Sequence, residues 1–406
     1  MLVLSGADLV LPDRVLSPGT IVIDGDRIAD VRADTVVAQH AQAFAFRHHT
    51  IVAGFIDVHV HGVEGIDALD ADEDGSPVAA IAERLPRYGV TAFCPTTVAC
   101  APAALRSVLA GVRAAREAPP PRSARVLPAH LESNFINPVY AGAQPAACLR
   151  VPARTRRLGA PAAPREPEAA FDGDEILDEI ERAAPDVGIV TVAPELDGGL
   201  DLVRWLRAQG IRVSLGHSAA DFDQAIAAIA AGASHATHLF NRMPPFGHRE
   251  PGLAGAVLQT DEVAAELICD GVHVHPAVVR AAIAAKKPQR VFAITDGTAA
   301  AGLPAGAAAR LGGRRITARD GAARLDDGTL AGSVLTMDAA FRMLIGRVGL
   351  SLVDAATLCA TTPARELGLV GHGVIAPEAR ADLVVLDPQL MVVQTYVAGQ
   401  LVYSRT

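Results

Sequence analysis

The sequence predicts an α/β protein, namely a (β/α)8 TIM-like barrel with a small β-sandwich built from both chain ends. Two observations predict the barrel. Short apolar runs alternate with amphipathic segments, as expected for βα repeats around a parallel sheet. Residues of metal-ligand type follow five of these runs, where a parallel barrel presents its chemistry. The sandwich is predicted because both chain ends carry β-rich runs separated by turn signals.

The chain length favours a barrel plus an accessory domain. The protein has 406 residues, whereas a barrel alone takes about 250. We assign residues 1–50 to the N-terminal part of the sandwich, 51–369 to the barrel and 370–406 to the C-terminal part of the sandwich.

Turn signals divide the predicted sandwich into strands. In its N-terminal part, turns are expected at Ser17-Pro18-Gly19 and at Asp24-Gly25-Asp26. In its C-terminal part, Ala398-Gly399-Gln400 separates two short apolar runs. These patterns fit a small antiparallel sheet better than a barrel.

Eight apolar runs are expected to form the barrel strands. They cover 52–59, 90–97, 125–131, 188–193, 211–216, 234–239, 264–269 and 291–295. Helices are expected at Ser76–Tyr88, Leu200–Ala208, Asp221–Ala231 and Pro276–Lys287. The segment Arg150–Asp174 shows neither the hydrophobic period of a helix nor that of a strand. We expect it on the active-site face, as a mobile lid or as an insertion without a role.

Charge and composition restrict the partners. A net charge of −9 without a basic stripe argues against nucleic acid as a partner, so a small-molecule substrate is expected.

The sequence also bears on localisation. No apolar run reaches the roughly 18 residues that cross a bilayer, and the first ten residues read as a strand without a signal peptide. The five cysteines are scattered without a CxxC motif, which favours reduced thiols in the cytoplasm over a disulfide framework.

The motif Asp57-Val58-His59-Val60-His61 predicts a metal centre. Side chains alternate along a strand, so His59 and His61 project from the same side, close enough to bind one metal ion. An isolated HxH motif is more often a pair of core histidines. Further ligand-type residues at the ends of other strands argue against that alternative here.

Three of those residues complete a catalytic metal site. Glu132, His217 and His238 supply three protein ligands and leave a position for water. His59 and His61, with Asp296 as a further candidate, could build a second site that shares Glu132. Imidazole and carboxylate donors suit Zn²⁺ or Fe²⁺, and one or two ions are both compatible with the pattern. His235 is an odd number of residues from His238, so it is expected to face the helical layer.

Asp296, which follows the last predicted strand, is the candidate acid/base. A carboxylate beside a metal can take a proton from the attacking water and deliver it to the departing amine. The alternative role is a helix N-cap, but the following Ala299-Ala-Ala-Gly302 is a poor helix start.

Together, these motifs make the chain resemble the amidohydrolase superfamily and, within it, the N-acetylglucosamine-6-phosphate deacetylase family. HxH alone marks only the superfamily, whereas the blocks HLFN, REPG and DGxH together are specific. The resemblance covers nearly the whole chain and rests on Gly54-Phe-Ile-Asp-Val-His-Val-His-Gly62, His130-Leu-Glu132 with Phe135-Ile-Asn-Pro138, Val192-Ala-Pro-Glu195, Ser214-Leu-Gly-His-Ser218, Thr237-His-Leu-Phe-Asn241, Arg249-Glu-Pro-Gly-Leu253, Asp270-Gly-Val-His273, Thr295-Asp296 with Ala301-Gly-Leu-Pro304, and Leu330-Ala-Gly-Ser333.

The resemblance implies roles for the candidate residues. Glu132, His217 and His238 would bind the principal metal, and Asp296 would be the acid/base. Asn241, Arg249 and His273 would hold a sugar phosphate, with Arg249 reaching the site of a neighbouring subunit in a homodimer. A surface salt bridge for Arg249 and a loop-stabilising amide for Asn241 are the alternatives that spacing leaves open.

The chain departs from the family pattern in two places. Where HLEGP is usual, this sequence has Ser133 and Asn134 after Glu132. Many relatives carry a histidine where this chain has Gln144, which can hydrogen-bond a substrate hydroxyl but cannot offer charge to a phosphate. The gluco or galacto identity of the amino sugar therefore stays open.

The implied function is hydrolysis of the N-acetyl amide of an amino-sugar phosphate, with N-acetylglucosamine 6-phosphate as the first candidate substrate. Another N-acyl amino sugar or a cyclic amide is the alternative. Cyclic-amide hydrolases typically need a carboxylated lysine on the fourth strand, and Ile189-Val-Thr-Val-Ala-Pro194 has none. A deaminase would carry an HxxE helix motif, which is not evident. A scaffold without catalysis would not need the full set of ligand-type residues.

Overall fold

The computed structural model describes residues 1–33, 42–70, 76–158 and 170–405. Eight parallel strands pair in chain order, which confirms the predicted barrel. They are β1 (Phe55–Val60), β2 (Val90–Thr97), β3 (Ala129–Leu131), β4 (Val187–Val192), β5 (Arg212–Leu215), β6 (His235–Ala236), β7 (Ala264–Ile268) and β8 (Val291–Ile294).

The barrel closes between the end of β8 and β1. The amide N–H of Asp296 donates to the carbonyl of His59 at 2.9 Å, and that of His61 donates to the carbonyl of Gly297 at 2.8 Å. A parallel bridge joins Val60 to Gly297. These bonds bring the HxH motif and Asp296 to the same rim of the barrel.

The run predicted as one barrel strand over 52–59 divides at Gly54. Thr50–Ala53 belongs to the sheet formed by the chain ends, and β1 begins at Phe55. A Cβ at position 54 would lie 2.2 Å from Oγ1 of Thr91, so only glycine fits where the chain passes between the two sheets. The predicted domain boundaries at 50/51 and 369/370 stay predictions.

Both chain ends contribute to one eight-stranded sheet, which confirms the small sandwich beside the barrel. Its hydrophobic core is separate from that of the barrel and includes Leu4, Ile21 and Tyr396. The strands are Leu2–Val10, Val15–Asp24, Arg27–Arg32, Gln42–Ala45, Thr50–Ala53, Leu383–Leu386, Val392–Val397 and Gln400–Ser404.

The turn expected at Ser17-Pro18-Gly19 is wrong, because these residues lie inside the strand Val15–Asp24. Ala7 pairs with Gly19 and the next pair joins Leu9 to Leu16, so the ladder is irregular there. An irregular ladder tolerates a proline, which has no N–H to donate. The other two turns are confirmed, since Asp24 pairs with Arg27 and Val397 with Gln400.

Helices cover the outside of the barrel, and all four predicted ones are present. Side chains of Asp172 and Asp221 cap two helix starts through reciprocal bonds with the third helical residue. The helices are Pro77–Arg84, Pro102–Glu117, Gly173–Ala183, Gly199–Ala208, Phe222–Ala231, Gly252–Gln259, Pro276–Lys286, Met337–Met343, Leu352–Ala356 and Thr362–Glu366. Among the described residues, no helix combines the length and apolar character that membrane crossing requires.

A four-stranded antiparallel sheet after β8 was not predicted. It comprises Ala308–Leu311, Arg314–Arg319, Ala322–Arg324 and Leu330–Ser333, and has its own small core. Leu311 pairs with Arg314 across Gly312-Gly313, a hairpin signal that the sequence does contain.

The irregular segment Arg150–Asp174 is described only at its two ends. Short single turns occupy Pro152–Arg154 and Arg156–Leu158, and a helix begins at Gly173. Residues 159–169 lie outside the described residues, so the lid hypothesis stays a prediction. The guanidinium of Arg150 lies 3.8 Å above the ring of Phe171, which connects the two described ends.

Candidate active site

The ligand-type residues converge at the C-terminal rim of the barrel, because each follows a different parallel strand. All are buried. His59 and His61 lie at the end of β1, Glu132 follows β3, His217 follows β5, His238 follows β6 and Asp296 follows β8.

Glu132, His217 and His238 form the tightest group. Oε1 of Glu132 lies 2.7 Å from Nε2 of His217 and 2.9 Å from Nε2 of His238, and the two Nε2 atoms are 3.0 Å apart. Nδ1 of His217 donates to the carbonyl of Tyr140 at 2.8 Å, which leaves the Nε2 lone pair directed at the group. Two imidazoles and a carboxylate in this arrangement fit a divalent metal ion.

His59 and His61 form a second group that shares Glu132. Their Nε2 atoms are 3.3 Å apart, and Oε2 of Glu132 lies 3.5 Å from Nε2 of His61. Oδ1 of Asp296 lies 3.4 Å from Nε2 of His59 and 3.3 Å from Nε2 of His61. Oε1 of Glu132 also lies 3.8 Å from Nε2 of His59. The Glu132 carboxylate therefore lies between the two groups, an arrangement that can bridge two ions.

The buried acids and imidazoles shift one another's pKa. Burial opposes ionisation of Glu132, but His217 and His238 hold its pKa well below the usual range. Burial likewise opposes ionisation of Asp296, and the contact with His61 lowers its pKa nonetheless. Burial, with a smaller contribution from the neighbouring His61 and His238, lowers the pKa of His59 to about 4 despite its acidic neighbours. The neighbouring imidazoles thus favour the ionised form of both carboxylates.

Backbone conformation directs three of these side chains into the site. His217, His238 and Asp296 have φ values of 47°, 30° and 48°, in the left-handed region that non-glycine residues rarely adopt. Such residues cost about 1 to 3 kcal/mol each and cluster at functional sites.

The left-handed turn at His238 also explains why the prediction for His235 is wrong. His235 pairs with Ser214, and Thr237 of the same strand face donates to Ser214 inside the barrel. The His235 ring packs edge-on against Phe292 at 5.1 Å, and burial lowers its pKa to about 3. His238 lies beyond the end of β6, so strand alternation does not extend to it.

Glu266 is a site residue that sequence reasoning missed. It lies in the middle of β7, where its Oε2 accepts a hydrogen bond from Nδ1 of His59 at 2.9 Å and one from the backbone N–H of His238 at 3.3 Å. Burial raises the pKa of Glu266 to about 7. A lone acid inside the apolar run Ala264–Ile268 was the available signal.

Glu266→Gln is expected to weaken metal binding at the His59 and His61 group by about tenfold to a hundredfold, because the hydrogen bond that orients His59 is altered. Metal affinity measured by competition with a chelator tests this. Glu262→Gln, an exposed change next to the same strand, is the control and should bind metal as the wild type does. An unchanged metal affinity in Glu266→Gln would show that Glu266 does not position His59.

The predicted substrate-binding residues do not all reach the site in this chain. A cavity of about 440 Å³ contains the metal-ligand candidates together with Gln144, Asn241 and His273. Nδ1 of His273 contacts Oδ2 of Asp270 at 2.6 Å, which orients the ring. Arg249 is not among the cavity residues; it is exposed, and its Nη1 lies 2.8 Å from Nε2 of His248.

Gln144 contacts a metal-ligand candidate directly. Its Oε1 accepts a hydrogen bond from the N–H of Ala99 at 2.7 Å, and its Nε2 donates to Oε2 of Glu132. The amide orientation is therefore fixed, with its N–H groups towards Glu132. Contact with a substrate hydroxyl would use the second N–H.

Ser133 and Asn134, the departures next to Glu132, turn away from the cavity. The Ser133 hydroxyl donates to the carbonyl of Thr191 at 2.5 Å, and the Asn134 amide donates to the carbonyls of Cys100 and Cys148 at 2.8 Å. Both side chains hold loops together and do not line the cavity.

Comparison with known proteins gives consistent matches. Residues 50–402 match the model of the Amidohydrolase family. The chain is 36% identical over 403 residues to N-acetylglucosamine-6-phosphate deacetylase of Mus musculus, covering 96% of this chain and 90% of the relative. It is 36% identical over 350 residues to N-acetylgalactosamine-6-phosphate deacetylase of Escherichia coli O157:H7, covering 86% of each.

A solved structure supports the same relationship. A mutant of N-acetyl-D-glucosamine-6-phosphate deacetylase from Mycobacterium smegmatis, in complex with N-acetyl-D-glucosamine-6-phosphate, superposes with a TM-score of 0.86. It is 33% identical to this chain, and the match covers 99% of both chains.

Proposed function

Because this chain belongs to the amidohydrolase family and, within it, to the N-acetylglucosamine-6-phosphate deacetylases, we propose that it hydrolyses N-acetylglucosamine 6-phosphate to glucosamine 6-phosphate and acetate. One observation carries the proposal: Glu132, His217 and His238 meet within 3.0 Å of one another, beside Asp296 and in one cavity. Water adds to the acetyl carbonyl and the C–N bond breaks, so one water molecule is consumed for each acetate released.

The side chains divide the chemistry among them. When bound by Glu132, His217 and His238, a divalent ion such as Zn²⁺ or Fe²⁺ would lower the pKa of water and polarise the acetyl carbonyl. Asp296 takes the proton of the attacking water, because its lowered pKa keeps it a carboxylate. It then delivers that proton to the departing amine nitrogen.

The remaining cavity residues orient the substrate. His273, oriented by Asp270, and Asn241 line the cavity and would hold the sugar ring and its phosphate. Gln144 keeps Glu132 in place and has a second N–H for a sugar hydroxyl. His59 and His61 would hold a second ion that shares Glu132.

Two further assignments belong to this proposal. The five cysteines are free thiols, which suits the reducing cytoplasm. The enzyme acts as a homodimer, in which the exposed Arg249 of one subunit reaches the phosphate in the site of its partner.

Acetate release from a panel of N-acetylated sugars tests the function. The purified, metal-loaded protein should act on N-acetylglucosamine 6-phosphate and release the free amine in equal amount. The galacto epimer belongs in the panel because of the similarity to the Escherichia coli relative. Release from a cyclic amide but from no amino sugar would overturn the proposal.

Arg249→Ala is expected to raise KM for the 6-phosphorylated sugar by about tenfold to a hundredfold, the usual range for hydrogen bonds to charged groups. KM for the unphosphorylated sugar and the metal content should stay at wild-type values. An equal effect on both substrates would mean that Arg249 supports the fold or the dimer instead. Arg204→Met, which changes an exposed helix residue paired with Asp201, is the control.

A further inference from the structure

The cavity contains a cation that the sequence motifs did not single out. Arg242 is the one arginine or lysine among the described residues that line it. It follows Asn241 directly and lies in the same cavity as His273 and Asp296. Among the described residues, Arg242 is therefore the arginine or lysine that this cavity receives from its own chain, since Arg249 is not among the cavity residues.

The backbone and a facing glycine fix the position of this side chain. Arg242 has a φ of 53°, and its carbonyl accepts a hydrogen bond from the N–H of Ser218 at 3.1 Å. A Cβ at Gly142 would lie 2.4 Å from Nε and 2.8 Å from Cζ of Arg242. The guanidinium thus packs against a glycine that leaves room for it, at the wall of the cavity.

The guanidinium has unused hydrogen-bonding capacity. Within the described ranges it forms no ion pair, and its one hydrogen bond runs from Nη2 to the carbonyl of Leu330 at a long 3.3 Å. A half-buried guanidinium has five N–H donors, so most of them are available to a ligand.

A second cavity adjoins the first at this point. It has a volume of about 660 Å³ and shares Val139, Gln144 and Arg242 with the first. Arg314 lines this second cavity and donates to the carbonyl of Ala143 at 2.9 Å. Arg242 therefore lies at the junction of the two cavities, within reach of a ligand in either.

We propose that Arg242 binds the phosphate of the substrate within its own subunit, so that phosphate selectivity depends on Arg242 as well as on Arg249. The guanidinium fork matches the geometry of a phosphate. A dianionic ligand entering a cavity that already contains Glu132 and Asp296 needs a compensating cation away from the metal group. This inference rests on the proposed deacetylation of a sugar phosphate.

The test compares Arg242→Met with the wild type on N-acetylglucosamine 6-phosphate and on N-acetylglucosamine. Arg242→Met should raise KM for the phosphorylated sugar by about tenfold to a hundredfold. KM for the unphosphorylated sugar should not change, and kcat should stay near the wild-type value. Arg242→Lys should recover part of the loss, because it keeps the charge but not the fork. Arg204→Met is again the control, and melting temperatures verify folding.

Inhibition by inorganic phosphate separates failure of this inference from failure of the proposed function. The inhibition constant should rise in Arg242→Met in parallel with KM. The first case is a wild type without preference for the phosphorylated sugar, in which Arg242→Met still weakens inhibition by phosphate. That result would support an anion site at Arg242 and show that the proposed substrate is wrong. If Arg242→Met changes neither the ratio of the two KM values nor the inhibition constant, the inference is overturned whatever the substrate.

Discussion

Asp296→Asn should lower kcat by about 10² to 10⁴, the usual loss when a general acid or base is removed. Asparagine keeps the shape of the side chain but cannot carry the proton from water to the departing amine. KM should change little, because Asp296 is not expected to hold the sugar. Steady-state acetate release over a range of substrate concentrations measures both constants.

Metal analysis distinguishes this role from a ligand role for Asp296. Oδ1 of Asp296 lies 3.3 Å from His61 and 3.4 Å from His59, so it could also contact a second ion. The acid/base role predicts wild-type metal content at the Glu132 group. Asp201→Asn, which changes an exposed helix residue, is the control. A kcat near that of the wild type in Asp296→Asn would exclude the assigned role.

His217→Ala and His238→Ala should each lose bound metal and fall below about 1% of wild-type activity, because the metal supplies several kcal/mol of transition-state stabilisation. Each change removes one of the three proposed ligands, and three is the minimum for a catalytic site. Elemental analysis of the purified variants, together with acetate release, tests this. Full metal occupancy in either variant would show that the residue is not a ligand.

His59→Ala tests whether the reaction needs one metal ion or two. Its effect should match that of the other two histidines if the reaction needs two ions, and be milder if one ion suffices. His372→Ala is the matched control, because His372 contacts Asp382 at 2.8 Å and does not line the cavity. This variant should keep wild-type metal content and activity.

The barrel and the position of its metal-ligand candidates could be predicted because both follow from local pattern. Apolar runs mark the strands, and parallel strands present their carboxyl ends at one rim. His59 and His61 are related by strand alternation alone, so the structure has them as predicted, with Nε2 atoms 3.3 Å apart. The position of His217 at the same rim could be predicted because this residue follows a strand in the sequence.

Features that depend on the backbone beyond the strands were not predictable in this way. Strand alternation counted from His238 predicted the wrong side of the barrel for His235, because the chain takes a left-handed turn at His238. Pro18 suggested a turn, but an irregular ladder accommodates it within a strand. The motif that contains Arg249 led to the prediction that this residue binds the phosphate, whereas the arginine that lines the cavity is Arg242. Which arginine of a long loop faces a cavity depends on how the loop folds.

Acetate release as a function of bound metal tests the central claim most directly, namely that Glu132, His217 and His238 form a metal-dependent hydrolytic centre. The chelator-treated protein should release no acetate from N-acetylglucosamine 6-phosphate, and activity should rise as Zn²⁺ or Fe²⁺ is added until the site is filled. His238→Ala should show no such rise. Full activity in metal-free protein, or a normal rise in His238→Ala, would contradict this claim.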